Sequence, residues 1–172
     1  PWTVDPEPLL QPGPEDAWDE GGVAWPSVLR PPDGQPAPFV MFYAGSPAGT
    51  GDTMIGLATS EDGRAWQKHD DPATTEMPLA ESDPVLTGAD ELWATQGVDR
   101  ARVVVAPEGW LMVYQGGPLV KRGLATSDDG LTWTADPDNP RLTLADFPFS
   151  ATMWDTALVY HDGVYYYYTE LG

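Results

Sequence analysis

The stretch Gly56-Leu-Ala-Thr-Ser-Glu-Asp-Gly-Arg-Ala-Trp66 returns as Gly123-Leu-Ala-Thr-Ser-Asp-Asp-Gly-Leu-Thr-Trp133, with eight of the eleven positions identical. In each copy a run of small and apolar residues ends at Ser-x-Asp-Gly, a strong turn signal, and resumes at a Trp. This reads as a strand, a tight turn and a second strand, with an aromatic ring placed to pin the turn against a core. The near-identity of the two stretches makes an internal repeat the first thing to resolve.

Working outward, the similarity extends well beyond the turn. Pro8-Leu-Leu-Gln-Pro-Gly13 matches Pro84-Val-Leu-Thr-Gly88, and Trp18-Asp-Glu-Gly-Gly-Val23 matches Trp93-Ala-Thr-Gln-Gly-Val98. Ser27-Val-Leu29 matches Arg102-Val-Val104, and Met41-Phe-Tyr-Ala-Gly45 matches Met112-Val-Tyr-Gln-Gly116. A third copy begins at Asn139 and runs through Met153-Trp-Asp-Thr-Ala-Leu-Val-Tyr-His161 to Glu170. The repeats fall at about 8–76, 84–138 and 139–172, the last incomplete, within one domain spanning 1–172.

Each copy predicts four short strands. A first strand such as Val103–Ala106 turns at Pro107-Glu-Gly109, or at His161-Asp-Gly163 in the third copy. An aromatic-rich second strand follows, Trp110–Gln115 or Val164–Thr169. Gly123–Ser127 forms the third, Asp128–Gly130 the turn, and the fourth starts at Trp133. A four-stranded unit repeated in tandem is the pattern of a β-propeller blade, which must stack on neighbours to bury its faces. The expected fold is therefore all-β, a propeller of four-stranded antiparallel blades, of which this chain supplies about two and a half. Either the chain belongs to a longer one, which is the expectation, or copies associate.

Composition narrows the function. The 27 acidic residues against 8 basic ones give a net charge of −19, opposite to the basic surface that nucleic acid or an anionic membrane requires. The chain has no cysteine, which excludes disulfides and thiolate chemistry. No apolar run reaches the length of a membrane span. The opening Pro1-Trp-Thr-Val has neither an initiating Met nor an apolar leader, so Pro1 is not expected to be the native start. Eight Trp and seven Tyr, by contrast, supply flat faces suited to stacking on sugar rings or to filling β cores.

The repeated Ser-x-Asp-Gly-x-x-Trp, Ile55–Ser60, Trp18–Leu29 and Trp154–Tyr168 together resemble the five-bladed propeller glycosidases: the arabinanase, β-xylosidase, invertase and levansucrase relatives, especially glycoside hydrolase family 43-like proteins. The sialidase Asp-box is one residue longer between Asp and Gly, and the Arg triad of sialidases is not evident. The resemblance implies a channel at the propeller axis in which carboxylates from successive first strands cleave O-glycosidic bonds of furanoside or xyloside glycans. It implies no cofactor, although some members hold a calcium ion in the channel, and it favours an extracellular or periplasmic setting. The partner is a carbohydrate; the oligomeric state is left open.

The family's first-strand pattern, an acid followed by a small residue and an apolar pair, is matched best by Asp155-Thr-Ala-Leu-Val159. This makes Asp155 the leading catalytic candidate. The corresponding slots are read as Ala101 in the second copy and Trp25 in the first. Asp99, two residues before Ala101, shares its strand face and is a replacement acid. Asp19 is a third candidate, equally readable as a loop residue capping backbone N–H groups. Trp25, Trp154, Arg100 and Arg102 flank these acids and are the expected substrate-binding residues, by stacking and charge-assisted hydrogen bonds. Asp62, Asp128 and Asp129 belong to the turns. His69 and His161 do not form a metal pair, so no metal site is expected. The alternative function is a propeller that binds carbohydrate or protein without cleaving it.

Overall fold

The computed structural model describes residues 4–32, 37–89, 91–117, 121–147, 149 and 152–172; the side chains of Asp155 and Thr156 lie outside the described residues. The chain is all-β, with antiparallel strand pairing in three sheets. The first sheet holds β1 (Gly22–Leu29), β2 (Phe39–Ser46), β3 (Met54–Ser60) and β4 (Gln67–Lys68) in that order, with β5 (Pro84–Leu86) on the same edge of β3 as β4. The second holds β6 (Val98–Ala106), β7 (Gly109–Gly116), β8 (Lys121–Ser127) and β9 (Thr134–Ala135). The third is the hairpin β10 (Met153–His161) and β11 (Val164–Leu171). No helix among the described residues is long and apolar enough to cross a membrane.

The repeat is reproduced in register. Tyr43 pairs with Gly56 as Tyr114 pairs with Gly123, and Ala58 with Lys68 as Ala125 with Ala135. The segment heading each later copy reaches back to the preceding sheet: Leu86 pairs with Ile55, and Leu142 bridges to Arg122 at the matching position. The hairpin at Asp162 and Gly163 has positive φ at both turn residues (51° and 80°), the conformation that an Asp-Gly pair favours between twisted strands.

Two glycines explain why the aromatic residue of each copy packs so closely. A Cβ on Gly56 would stand 2.6 Å from Tyr43 and 2.8 Å from Trp18; one on Gly123 would stand 2.7 Å from both Tyr114 and Trp93. The rings therefore lie directly on the backbone of the third strand, Trp18 5.8 Å from Tyr43 and Trp93 5.7 Å from Tyr114 between centroids.

The main core is the contact between the first two sheets. Val40, Phe42, Ile55 and Leu57 of the first face Ala101, Val103, Met112 and Tyr114 of the second, and Trp133 meets Phe42 edge-on at 5.6 Å. A smaller cluster on the opposite face of the first sheet gathers Trp18, Met41, Tyr43 and Ala58. β6 packs against both β1 and β10, so the first strands of the three sheets lie side by side. That adjacency positions the site described next.

Candidate functional site

Each first strand carries a bulge near its start. The register of β1 on β2 shifts between Ala24 and Ser27, that of β6 on β7 between Asp99 and Arg102, and that of β10 on β11 between Trp154 and Thr156. In β1 and β6 the first bulge residue is a non-glycine in the left-handed region, Trp25 at φ 50° and Arg100 at φ 51°. Such backbone is strained for a side-chain-bearing residue and is concentrated where a side chain must be re-aimed. Ala24, Asp99 and Trp154 precede the shift; Trp25, Arg100 and Asp155 follow as the next residues.

This register corrects the slot alignment read from sequence. Trp25 corresponds to Arg100, and Ala101 corresponds to Pro26, in agreement with the flanking matches of Val23 to Val98 and Ser27 to Arg102. Asp99 is thus not displaced two positions from the site; it immediately precedes the strained residue.

The three bulges converge. The Arg100 guanidinium lies over the Trp25 ring at 4.6 Å and over the Trp154 ring at 5.9 Å, so a cation from the second sheet sits between indoles of the first and third. Both cation–π geometries are within the attractive range. Arg100 Nε lies 3.9 Å from Asp99 Oδ1. Both Trp rings keep a substantial part of their surface exposed.

Asp99 is mostly buried, and no described residue donates a hydrogen bond to its Oδ1. Burial raises its pKa from the ordinary 3.8 to about 6, against the pull of the Arg100 and Arg122 guanidiniums. A carboxyl in this condition is protonated in mildly acidic solution and can donate a proton.

Arg122, which the sequence reading missed, underlies the cluster. It occupies the position of Ile55 in the first copy, and it is almost wholly buried. Its Nε donates to Tyr167 Oη at 3.0 Å, Nη1 to Gln115 Oε1 at 2.9 Å and Nη2 to the Met153 carbonyl at 3.3 Å. Gln115 is the cross-strand partner of Asp99. The guanidinium thereby ties the second sheet to the third directly beneath Asp99 and Trp154. A charged residue where the other copy has an Ile was the available signal.

The remaining sequence candidates lie as follows. Arg102 donates to the Ala101 carbonyl at 2.8 Å. Asp155 lies in β10 at the bulge, with its side chain outside the described residues. Asp19 is fully buried in the turn before β1, pairs with Lys68 Nζ at 2.5 Å, and accepts from Tyr43 Oη at 3.3 Å and Gly13 N at 3.1 Å. In the second copy the same two positions are Ala94 and Ala135, so the Asp19–Lys68 pair is an internal substitution rather than part of a shared site. Among the described residues no group of three or more Asp, Glu or His is arranged to hold a metal ion.

The turn motifs are structural. Ser60 Oγ accepts from Asp62 N at 3.3 Å and Gly63 N at 2.9 Å; Ser127 Oγ accepts from Asp129 N at 3.2 Å and Gly130 N at 2.8 Å. Asp62 and Asp129 each accept two further backbone N–H bonds, which hold both carboxyls below the ordinary pKa.

No protein-family model matches the sequence, and no curated protein matches it. Solved structures do match. One belongs to a study of the GH130 family of mannoside phosphorylases, containing glycoside hydrolases that target β-1,2 mannosidic linkages in Candida mannan; it is 20% identical at TM-score 0.57, with 75% of this chain and 38% of that chain covered. A second, described as a glycoside hydrolase, is 23% identical at TM-score 0.61, with 94% and 46% covered. A third, a thermostable family-43 glycoside hydrolase, is 12% identical at TM-score 0.56, with 87% and 59% covered. Likeness at this identity establishes a shared fold, and the chain spans between about a third and three fifths of the length of these molecules.

Proposed function

We propose that the three sheets are consecutive blades of a β-propeller and that their bulges line a glycan channel in which an O-glycosidic bond is hydrolysed. The observation that carries this reading is the convergence of Trp25, Asp99, Arg100 and Trp154 from three adjacent first strands. Indole faces stack on the apolar faces of sugar rings, and a guanidinium donates to hydroxyls. The fold likeness to glycoside hydrolases supports the same reading.

In the reaction, the protonated Asp99 carboxyl gives its proton to the glycosidic oxygen as the bond to the anomeric carbon breaks. A second carboxylate, which we assign to Asp155, either removes a proton from the incoming water or attacks the anomeric carbon, according to its separation from Asp99. Furanoside and xyloside glycans are the proposed substrates. A non-catalytic carbohydrate-binding role is the second reading; Trp25 and Arg100 favour it by occupying bulge positions where the resemblance implies acids.

Hydrolysis of aryl-arabinofuranosides and aryl-xylosides across pH tests both. The catalytic reading expects turnover that falls as pH rises through about 6, when Asp99 ionises, and losses of about 100-fold or more in Asp99→Asn and Asp155→Asn. Turnover insensitive to both substitutions contradicts it. Absence of turnover with oligosaccharide binding that Trp25→Ala and Trp154→Ala weaken establishes the second reading; absence of both activities removes the two together.

A further inference from the structure

Residues directly opposed on neighbouring strands share a sheet face, so Asp99 of β6, Gln115 of β7 and Arg122 of β8 form one row across the second sheet. The same row in the first sheet is Ala24, Ala44 and Ile55. Two sheets that agree in register and in turn chemistry thus differ along one line, which is apolar in the first and polar throughout in the second. Ile55 packs into the core between the first two sheets. Arg122, at the matching position, meets the third sheet instead and is 1% exposed.

A buried guanidinium is costly unless its donors are met and its charge is balanced. The donors are met by Tyr167 Oη, Gln115 Oε1 and the carbonyls of Met153 and Lys121. None of these acceptors is a carboxylate. The acid that responds to the charge is Asp99, at the other end of the row, whose ionised form Arg122 favours. The remaining charged and titratable groups on the elements around Asp99 are Arg100 and Arg102 on its own strand, Asp155, Tyr160 and His161 on β10, and Tyr167 and Glu170 on β11. The strands β1, β2, β3 and β7, which also pack against β6, carry no charged residue, and the phenols of Tyr43 and Tyr114 are bonded to Asp19 and Glu91.

We propose that Arg122 is the positioning residue of the bulge cluster, holding the acid of the second sheet and the bulge of the third at one separation and lending Asp99 a buried positive charge that the first copy lacks. The fork does this from both sides. Nη1 fixes Gln115, the cross-strand partner of Asp99, while Nη2 fixes the carbonyl of Met153, which precedes Trp154 and Asp155 in β10. Nε adds Tyr167 on β11, so both strands of the third hairpin are held. The proposal deepens the reading of Asp99 and Asp155 as the reacting pair, and rests on that reading for its effect on turnover. A guanidinium is suited to this role because its donors lie in one rigid plane, which an ammonium cannot reproduce.

Magnetic resonance of the chain, isotopically labelled at the Asp carboxyls and the Trp indoles, tests the proposal, with Asp99→Asn identifying the Asp99 signal. Arg122→Met removes both charge and fork; Arg122→Lys keeps the charge and loses the fork. The parent Asp99 is expected to titrate at about 6. In R122M the midpoint is expected about half a pH unit or more higher, because an opposite charge is gone, and in R122K it stays with the parent. In both variants the Trp154 indole N–H should move while that of Trp18, in the first sheet, stays in place. On aryl glycosides kcat is expected to fall about tenfold in both, with the pH limb moving upward in R122M alone. Arg122→Gln neutralises the position in the same way and reads the same midpoint if the Met variant does not fold. A parent-like Asp99 midpoint in the neutral variant, or an unmoved Trp154 in both R122M and R122K, would overturn the proposal. Both resonance effects in a chain that cleaves no glycoside would uphold the positioning role and overturn the proposed catalysis instead.

Discussion

The turns after the third strands and the bulges in the first strands are both repeated, yet they repeat different things. Ser60–Trp66 and Ser127–Trp133 preserve side chains and hydrogen bonds together: in both, the Trp Nε1 donates to the Gly carbonyl, at 3.2 and 2.9 Å. The bulges preserve only backbone. Trp25 and Arg100 share a strained φ of about 50°, but one is an aromatic and the other a cation. A turn whose bonds are all internal gains nothing from variation. A bulge that aims its side chain toward neighbouring sheets is free to differ in each copy, and the cluster exists because it does: three identical bulges would give three indoles or three cations.

The comparison is sharpened first by the rings that both copies share. Trp18→Ala and Trp93→Ala are each expected to cost about 3–5 kcal/mol in urea denaturation, since each ring lies on a glycine backbone and leaves a void when removed. A large cost in only one copy would break the equivalence. The next effect tests where the copies diverge inside the core. Asp19→Ala strands the Lys68 ammonium and is expected to cost about 3 kcal/mol, whereas adding Lys68→Ala, which recreates the Ala94 and Ala135 pair of the second copy, recovers part of that loss.

Asp99 is expected to act in the opposite direction. Its folded pKa of about 6 lies above the ordinary 3.8, so its protonated form is the one that folding favours. The resulting stability is fully present below about pH 4 and is lost as pH rises through about 6. Asp99→Asn removes the penalty of the buried charge. Near pH 4 it should match the parent chain, and near pH 8 exceed it by about 2–3 kcal/mol; equal stability at both pH values would contradict the burial argument. The smallest effect belongs to the turns: Ser60→Ala and Ser127→Ala should each cost about 1–2 kcal/mol and agree closely, as their matched hydrogen bonds require.

Much of this was legible in the residues themselves. The duplicated Ser-x-Asp-Gly turn, the second and third strands and the Asp162-Gly163 hairpin follow from local patterns that need no distant partner. The bulge carries no such mark. Its strained positions are Trp and Arg rather than Gly, so the slots were set at Ala101 and Trp25 although the flanking matches put Trp25 against Arg100. The sequence reading named Trp25, Asp99, Arg100 and Trp154 as neighbours of a site, but not the stacking of Arg100 between two rings. Asp19 is the loop acid capping a backbone N–H that the sequence allowed, but its ion-pair partner Lys68 is distant in the chain and left no local mark; Arg122 went unnoticed because its partners lie on β7 and on both strands of the third sheet. Long-range pairing of polar groups was the part that local pattern could not supply.

The central claim is that the exposed indoles of the bulges, and not the buried indoles of the repeat, meet the ligand. An oligosaccharide titration of isotopically labelled chain, followed through the indole N–H resonances, measures this directly. Trp25 and Trp154 should shift together along one binding curve while Trp18 and Trp93 stay in place; a response confined to Trp18 or Trp93, or none at Trp25 and Trp154 with any arabino- or xylo-oligosaccharide, would contradict it.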